Sequence, residues 1–282
     1  MIKQYKAVLF FGFLITVCCP SLSDAMGWMD SPARKLYKKS GLKTQIHDLP
    51  GIIEQGFDHA VVNNAQLQRL PADTRNKIRS HIAELFTPAS METVVVQAIG
   101  DGLTDAEIMH VLAWLESPLG RKITEMEEAA GNAGAIQEMQ QYVKDLEKNP
   151  PPAKWLSLLQ KLDRVVGATE TSVTVNINTQ FAITTAMISA LKPGATPNFP
   201  VIRRLLEKQR PSIARVMRPQ ILSSFLYTYR DLTSEELQAY IDFATTEIGK
   251  KYHRVIIGGV EKALVQCSSK WGREIGEIVR AE

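Results

Sequence analysis

Residues 103–122, LTDAEIMHVLAWLESPLGRK, and residues 232–251, LTSEELQAYIDFATTEIGKK, decide the fold prediction for this chain. The two stretches align without a gap. The residues they share are Leu103/Leu232, Thr104/Thr233, Glu107/Glu236, Gly120/Gly249 and Lys122/Lys251. Apolar residues also recur at matched positions in both stretches. Because self-similarity within one chain indicates a repeated structural unit, the sequence predicts two related repeats.

Each stretch begins with a signal for the start of a helix. Thr104 and Thr233 are followed three residues later by Glu107 and Glu236, which is the spacing of a capping box. In that motif the threonine oxygen accepts a hydrogen bond from the third helical N–H, and the glutamate accepts one from the threonine N–H. We therefore expect these hydroxyl and carboxyl groups to stabilise helix starts and not to act on a substrate.

A helix break followed by a glycine is the second shared feature. Ser117-Pro118 predicts a new helix start in the first stretch, and Thr245-Thr246-Glu247 is a weaker equivalent in the second. Gly120 and Gly249 then fall one turn into the second helix. A glycine there costs about 1 kcal/mol relative to alanine, so its presence needs a physical reason. We expect a neighbouring backbone to approach closely at both glycines, and a ligand contact is the alternative.

The remainder of the chain also has helical periodicity. Ile78, Ile82 and Leu85, for example, are spaced three or four residues apart. Residues 170–180, ETSVTVNINTQ, alternate β-branched and polar side chains and would suit a strand on propensity alone. A solitary strand would leave its backbone groups without partners, so we predict a helix there too. The predicted fold class is all-α, a helical bundle built from two related helical repeats.

Pro150-Pro151-Pro152 is the clearest interruption of this pattern. Proline is tolerated in the first turn of a helix and disrupts a helix interior, so this run ends one helix and suits the start of the next. We predict an N-terminal helical repeat over residues 26–150 and a C-terminal helical repeat over residues 151–282. The sequence leaves open whether the two share one core.

The first 25 residues have the pattern of a signal peptide. Lys3 and Lys6 precede an unbroken apolar run over residues 7–19, and Ser23-Asp24-Ala25 places small residues before a cleavage site. The run is too short to span a bilayer as a helix. We therefore predict residues 1–25 to be a signal peptide and the protein to be exported to the periplasm, with no transmembrane span after cleavage. An uncleaved N-terminal anchor is the alternative.

Composition and motifs argue against several functional classes. The chain has 33 Lys and Arg residues against 30 Asp and Glu residues, and this near balance argues against a dedicated nucleic-acid-binding protein. The sequence contains no H-E-x-x-H, G-x-S-x-G, Walker or G-x-G-x-x-G motif. Its histidines are too widely spaced for a typical zinc site. Adjacent acids such as Glu127 and Glu128 are interpreted as a solvated face. We predict no catalytic residue, no cofactor and no metal.

Residues 201–220 contain the most prominent charge cluster. Its basic members are Arg203, Arg204, Lys208, Arg210, Arg215 and Arg218, and Glu207 is its one acid. Such a cluster could bind an anionic lipid head group, lipopolysaccharide or an acidic partner. We predict a patch for an anionic partner at Arg203, Arg204, Lys208 and Arg210, and a solvated helical face is the alternative.

The repeated stretch resembles a known family. The pattern L-T-x-x-E-[LI], an aromatic seven residues beyond the glutamate, and then [LI]-G-[KR]-K is similar to the signature of bacterial domain-of-unknown-function family 2059. It occurs at residues 103–122 and, with Ala244-Thr245-Thr246-Glu247 in place of the usual aromatic and Ser-Pro, at residues 232–251. The resemblance implies an exported, helical envelope protein of a Gram-negative bacterium, and it implies no catalytic residues.

Two functions fit these observations. The first is a non-enzymatic protein-interaction or envelope scaffold module, which uses the outer surface of the bundle to bind an unknown protein or envelope component. The second is a carrier that holds a lipid or another apolar or amphipathic ligand between the repeats. We expect the first, because the sequence shows no site chemistry.

Overall fold

A computed structural model describes residues 31–281, with gaps at residues 64, 133, 147, 192–193 and 195–196. The predicted signal peptide, residues 1–25, lies outside the described residues. From Pro32 onward the described chain forms a single compact unit. None of its helices combines the length and the apolarity needed to cross a bilayer.

Every regular element in the described ranges is an α-helix. In chain order the helices are α1 (Pro32–Lys39), α2 (Leu42–Asn63), α3 (Ala65–Arg69), α4 (Ala72–Leu85), α5 (Pro88–Gly102), α6 (Asp105–Leu115), α7 (Pro118–Gly131), α8 (Ala135–Leu146), α9 (Ala153–Val166), α10 (Ala168–Leu191), α11 (Phe199–Glu207), α12 (Arg210–Thr228), α13 (Ser234–Thr245) and α14 (Glu247–Ala281). Residues 170–180 lie within α10, so the alternating pattern there is part of a helix. The prediction of an all-α helical bundle is confirmed.

The longest helix, α14, organises the packing of the others. It lies against α10 and α5 and also contacts α4. Near its end the Trp271 indole N–H donates a hydrogen bond of 3.0 Å to the carbonyl of Ile78 in α4. The same indole packs edge-on against Phe57 and Phe86. A helix near the end of the chain therefore completes the core around helices near its beginning.

Both predicted halves contribute to one hydrophobic core. Ile82, Ile99 and Leu112 precede the proline run, Leu159 and Leu237 follow it, and all five are fully buried in the same cluster. The proline run lies between α8 and α9, with Pro152 immediately before the first residue of α9. The run therefore separates two parts of the chain that are packed together. The division into related repeats at residues 26–150 and 151–282 stays a prediction.

Candidate functional site

The two matched stretches have the same local geometry at their helix starts. Thr104 Oγ1 accepts from the Glu107 N–H at 3.3 Å, and Glu107 Oε2 accepts from the Thr104 N–H at 2.8 Å. Thr233 and Glu236 form the same pair of bonds at 3.1 and 2.8 Å. A complete capping box therefore begins α6 and another begins α13. We call α6 with α7 the first unit, and α13 with the start of α14 the second unit.

The two matched glycines lie where the two helices of each unit meet. A Cβ atom on Gly120 would be 2.1 Å from the carbonyl oxygen of Trp114, and one on Gly249 would be 2.2 Å from that of Phe243. Both distances are far below any van der Waals contact, so only glycine fits. The close neighbour is the end of the preceding helix in the same unit. The glycines thus have a packing reason that needs no ligand.

Equivalent side chains of the two units form reciprocal ion pairs. Lys122 Nζ lies 2.8 Å from each carboxylate oxygen of Glu236. Lys251 Nζ lies 2.7 Å from each carboxylate oxygen of Glu107. Each unit's lysine therefore pairs with the capping glutamate of the other unit.

Matched aromatic residues also meet between the units. The rings of Trp114 and Phe243 stack with centroids 4.0 Å apart and planes 7° from parallel. A contact of one unit's residue with its own counterpart is typical of similar surfaces that face each other across an approximate two-fold axis. The two lysine–glutamate ion pairs are reciprocal in the same way.

The ion pairs lower the pKa of both capping glutamates. For Glu107 the largest cause is the hydrogen bond from Lys251, followed by the one from the Thr104 backbone N–H. For Glu236 the corresponding causes are Lys122 and the Thr233 N–H. Both carboxylates are thus engaged within the fold by a helix cap and an ion pair.

A further carboxyl group, that of Glu127 in α7, lies between the units. Its Oε1 accepts hydrogen bonds from the hydroxyls of Tyr229 at 2.8 Å and Tyr240 at 3.2 Å. Both tyrosines are buried. Burial raises the pKa of Glu127, although the two tyrosine hydrogen bonds oppose the rise.

The interpretation of Glu127 and Glu128 as one solvated face is therefore wrong for Glu127. Adjacent helical side chains point about 100° apart, so α7 can direct one of them inward while the other stays outside. Glu128 accepts a hydrogen bond from Thr44 on the exposed side. No local pattern in the sequence marks Glu127, because its tyrosine partners are about a hundred residues further along the chain.

A small cavity adjoins this carboxyl group. The Glu127 cavity has a volume of about 130 Å³ and is lined by residues that include Trp114, Thr124, Glu127, Tyr240, Tyr252 and His253. It lies between the units, where the carrier hypothesis places a ligand. Sites for drug-sized ligands occupy about 300–1,000 Å³. The Glu127 cavity is therefore too small for a lipid-sized molecule. A more open groove between α6 and the start of α14, lined by Glu107, His110 and Lys251, has a volume of about 570 Å³, which is within that range.

The four basic residues predicted as an anionic-partner patch differ in burial and pairing: two are partly buried and paired, and two are exposed and unpaired among the described residues. Arg203 donates to Asn178, and its guanidinium lies 4.2 Å from the ring centroid of Phe181. Arg210 donates to Glu207 at 2.8 Å and to Thr174. Both arginines contact α10, Arg210 also contacts the end of α11, and both are partly buried.

The other two residues of the patch, Arg204 and Lys208, are exposed. Neither has a hydrogen-bonding or ion-pair partner for its side chain within the described part of the chain. Arg204 shares one side of α11 with Val201 and Leu205, and Lys208, the residue that caps the end of α11, continues the same spacing of three and four residues. Val201 is 43% exposed and Leu205 is 56% exposed. We call Val201, Arg204, Leu205 and Lys208 the α11 face.

The α11 face is unusual in joining exposed apolar and unpaired basic side chains. No residue of α11 is buried, so the helix lies on the outside of the bundle. The next helix, α12, also has exposed basic and apolar side chains next to one another, namely Arg215, Val216 and Arg218. Sequence reasoning found the charges but missed the exposed apolar residues, whose signal is the helical spacing of Val201 and Leu205 around the basic residues.

Comparison with known proteins finds a family match that covers the whole first unit and the residues on either side of it. Residues 89–148 match the family described as uncharacterized protein conserved in bacteria, DUF2059. The match includes Thr104, Glu107 and Gly120, and the second unit lies outside it. No curated protein and no solved structure matches the chain. The family description names no activity, so a functional argument has to start from the geometry of the sites.

Proposed function

We propose that the protein is an exported, non-enzymatic module of the bacterial envelope that docks on anionic membrane surfaces through the α11 face. The observation that carries this proposal is the exposed pairing of Val201 and Leu205 with Arg204 and Lys208 on one helix side. The periplasmic location rests on the signal-peptide pattern of residues 1–25. A bilayer carrying anionic phospholipids is the partner whose chemistry complements this face.

The physics of interfacial helices supports this choice of partner. A helix that lies in a membrane interface inserts apolar side chains beside the head groups and keeps basic side chains near the phosphates. Each Lys or Arg near an anionic surface contributes about 1 kcal/mol, and salt weakens that attraction. Arg215 and Arg218, exposed on the following helix, add charge of the same sign.

A non-enzymatic role is supported by how the conspicuous polar residues are used. Glu107 and Glu236 each accept bonds from a capped helix start and from a lysine. Thr104 and Thr233 form the other half of each cap. These hydroxyl and carboxyl groups fasten helices to one another.

We also infer that residues 103–122 and 232–251 are two copies of one helix–break–helix unit. Three observations support this inference. Both units begin with a capping box, both have a glycine packed against the backbone at the equivalent position of the preceding helix, and their lysine–glutamate ion pairs are reciprocal. Such copies, packed face to face, would form the stable base from which α11 and α12 present their surface.

Vesicle binding tests the membrane proposal. We expect the purified protein to co-sediment with vesicles containing phosphatidylglycerol and not with pure phosphatidylcholine vesicles, and we expect high salt to release it. Arg204→Glu with Lys208→Glu should abolish binding. The matched control is Lys43→Glu with Lys77→Glu, because those lysines are exposed on α2 and α4 and the change in net charge is identical.

Two outcomes would overturn the proposal. One is equal binding of the wild-type protein to anionic and neutral vesicles. The other is an equal loss of binding in both double variants, because net charge and not the α11 face would then be responsible. Leu205→Ser tests the apolar contribution separately, and it should weaken binding without changing its dependence on salt.

A second candidate function is a carrier for an anionic amphipathic ligand, and a groove in the C-terminal half favours it. The groove lies between α9, α10 and α12 and has a volume of about 830 Å³, which is within the range of ligand sites. Its lining has three basic residues, two acidic residues and an apolar wall: Arg164, Arg215, Arg218, Asp163, Glu170, Pro219 and Leu222. Native mass spectrometry of protein purified from its own envelope tests this function, since a lipid-sized adduct should be present and should be lost in Leu222→Trp.

A further inference from the structure

The Glu127 cavity combines a carboxyl group, aromatic walls and a small volume that is partly open to solvent. Glu127 Oε1 is occupied by the hydroxyls of Tyr229 and Tyr240. Its Oε2 has no hydrogen-bonding partner, and no Lys or Arg forms an ion pair with it, among the residues that the structure describes. The Glu127 side chain is only partly buried, and its Oε2 is not sealed from solvent, so this oxygen can be reached from the cavity. One oxygen of this group therefore remains available to a cation.

The walls of the cavity suit an organic cation. Tyr240 and Tyr252 line it together with Trp114, whose ring is stacked on Phe243 and Tyr240. The electron-rich faces of tyrosine rings attract ammonium groups by cation–π interactions. Thr124 and Ser40 add hydroxyl groups to the lining. A protonated primary amine carries three N–H donors, which these oxygens and the free carboxylate oxygen could accept.

The volume limits the size of the occupant. A water molecule occupies about 30 Å³ in the liquid, so a cavity of about 130 Å³ has space for an ammonium group with only a few carbon atoms. A divalent metal ion suits the cavity less well, because calcium takes 6–8 oxygen ligands. In the described residues no group of three or more His, Cys, Asp and Glu residues could hold a metal.

We propose that the Glu127 cavity is a binding site for a small primary ammonium ion, held by the Glu127 carboxylate between the two units. This site is independent of the α11 face and does not rest on membrane docking. A ligand there contacts α6, α7, α13 and α14 at once. Its binding would therefore strengthen the contact between the units.

Protons compete with such a ligand. Burial raises the pKa of Glu127 and lowers that of His253, whose neutral imidazole also lines the cavity. The remaining titratable groups that face the carboxyl are the phenols of Tyr229, Tyr240 and Tyr252, which burial keeps neutral. An ammonium ion binds the ionised carboxylate, so its affinity should increase as the pH rises through the folded pKa of Glu127.

Thermal unfolding with methylammonium chloride tests the site. We expect methylammonium to raise the Tm of the wild-type protein more than sodium chloride does at equal ionic strength, and to do so more at pH 8 than at pH 5. Methanol, which has a similar size and no charge, should give no such rise. Isothermal titration calorimetry should show that Glu127→Gln binds methylammonium at least about tenfold more weakly, because the charged partner is lost.

Two variants keep the proposal open to refutation. Glu127→Gln retains an oxygen that can accept from the two tyrosines, and Thr124→Leu fills the cavity without changing the carboxyl group. Both should lose the methylammonium-dependent rise in Tm. An equal rise in wild type and Glu127→Gln, or a wild-type rise no greater than that in sodium chloride, would overturn the proposal. Either result leaves the vesicle-binding proposal unaffected, since that assay uses the α11 face.

Discussion

At the scale of single residues, Gly120 and Gly249 show how a missing side chain defines a helix–helix contact. Each permits the second helix of a unit to start directly against the carbonyl group that ends the first. The break itself is stabilised by Ser117 and Thr246, whose side-chain oxygens each accept a 3.0 Å hydrogen bond from the glycine N–H. The glycine and the cap therefore act together, one by its small size and the other by its hydrogen bond.

Substituting these glycines should destabilise the fold. We expect Gly120→Ala and Gly249→Ala each to lower the free energy of unfolding by about 3 kcal/mol, because a Cβ atom would overlap the backbone of the preceding helix. Urea denaturation followed by circular dichroism measures the loss.

A matched control for these glycine variants is available on α14. Gly258 is exposed, and a Cβ atom added to it would have no other atom within 4 Å. Gly258→Ala should therefore stabilise the protein by up to about 1 kcal/mol, the difference in helix propensity. If Gly120→Ala and Gly258→Ala unfold at the same urea concentration, the proposed overlap is incorrect.

Glu127 is the second residue whose role can be tested alone. Its pKa is raised in the folded state, so its contribution to stability is fully present below the unfolded pKa and is lost as the pH rises through the folded pKa. Glu127→Gln removes this titration. We expect the difference in unfolding free energy between wild type and variant to shift in favour of the variant as the pH increases.

Urea titrations of both proteins from pH 4 to pH 8 measure that difference. Comparing the two proteins is necessary because other groups titrate with the opposite sign. Glu107, Glu236 and His253 all have lowered pKa values in the folded state, and each contributes stability that is lost on acidification. A difference between wild type and Glu127→Gln that does not vary with pH would contradict the raised pKa of Glu127.

At the scale of elements, the capping boxes link local helix starts to the contact between units. Glu107 caps α6 and also binds Lys251 of α14, while Glu236 caps α13 and binds Lys122 of α7. A cap alone needs only its own turn of helix. The added lysine makes the start of each helix depend on the presence of the other unit.

This dependence predicts a shift in a single titration. In Lys251→Met, the pKa of Glu107 should rise towards its ordinary value, because the largest cause of its lowering is removed. The Thr104 N–H bond should keep it somewhat low. Carboxyl chemical shifts followed by NMR from pH 2 to pH 7 measure the change.

The neighbouring lysine provides the control. Lys250 pairs with Glu247 at 2.9 Å, and it carries the same charge on the adjacent position of α14. Lys250→Met should raise the pKa of Glu247 and leave that of Glu107 unchanged. Equal movement of Glu107 in both variants would show a general effect of net charge in place of a specific pair.

At the scale of the whole molecule, the helices on both sides of the proline run share a core. Trp271 packs against Phe57 and Phe86, and Tyr229 and Tyr240 bond to Glu127. Removing either half would expose these apolar and polar partners together. The proline run therefore interrupts the helical pattern of the sequence, but the helices before and after it are packed into one core.

Expressing the halves separately tests this view. Residues 26–150 and residues 151–282, produced alone, should lack the near-ultraviolet circular dichroism of fixed aromatic packing and should unfold without a cooperative transition. Mixing the two should restore part of both signals. Cooperative unfolding of either isolated half would show that the shared core is not required.

The sequence by itself determined the helices, their caps and their breaks. Capping boxes, first-turn prolines and glycines act within a few residues, through backbone hydrogen bonds and steric contact, so Thr104, Glu107, Ser117 and Gly120 could be read correctly from their spacing. The all-α fold followed from the same local rules, including the helix over residues 170–180. The basic character of residues 201–220 was also visible, because charge is a property of composition.

Only the tertiary structure decided which of these groups remain available to a partner. Glu127 accepts hydrogen bonds from tyrosines that are distant in the chain. Arg203 and Arg210 donate hydrogen bonds to neighbouring side chains. Arg204 and Lys208 remain exposed beside Val201 and Leu205. The physical reason is that burial and pairing depend on residues far apart in sequence. A helical pattern determines which side chains share a face, whereas packing determines whether that face meets protein or solvent.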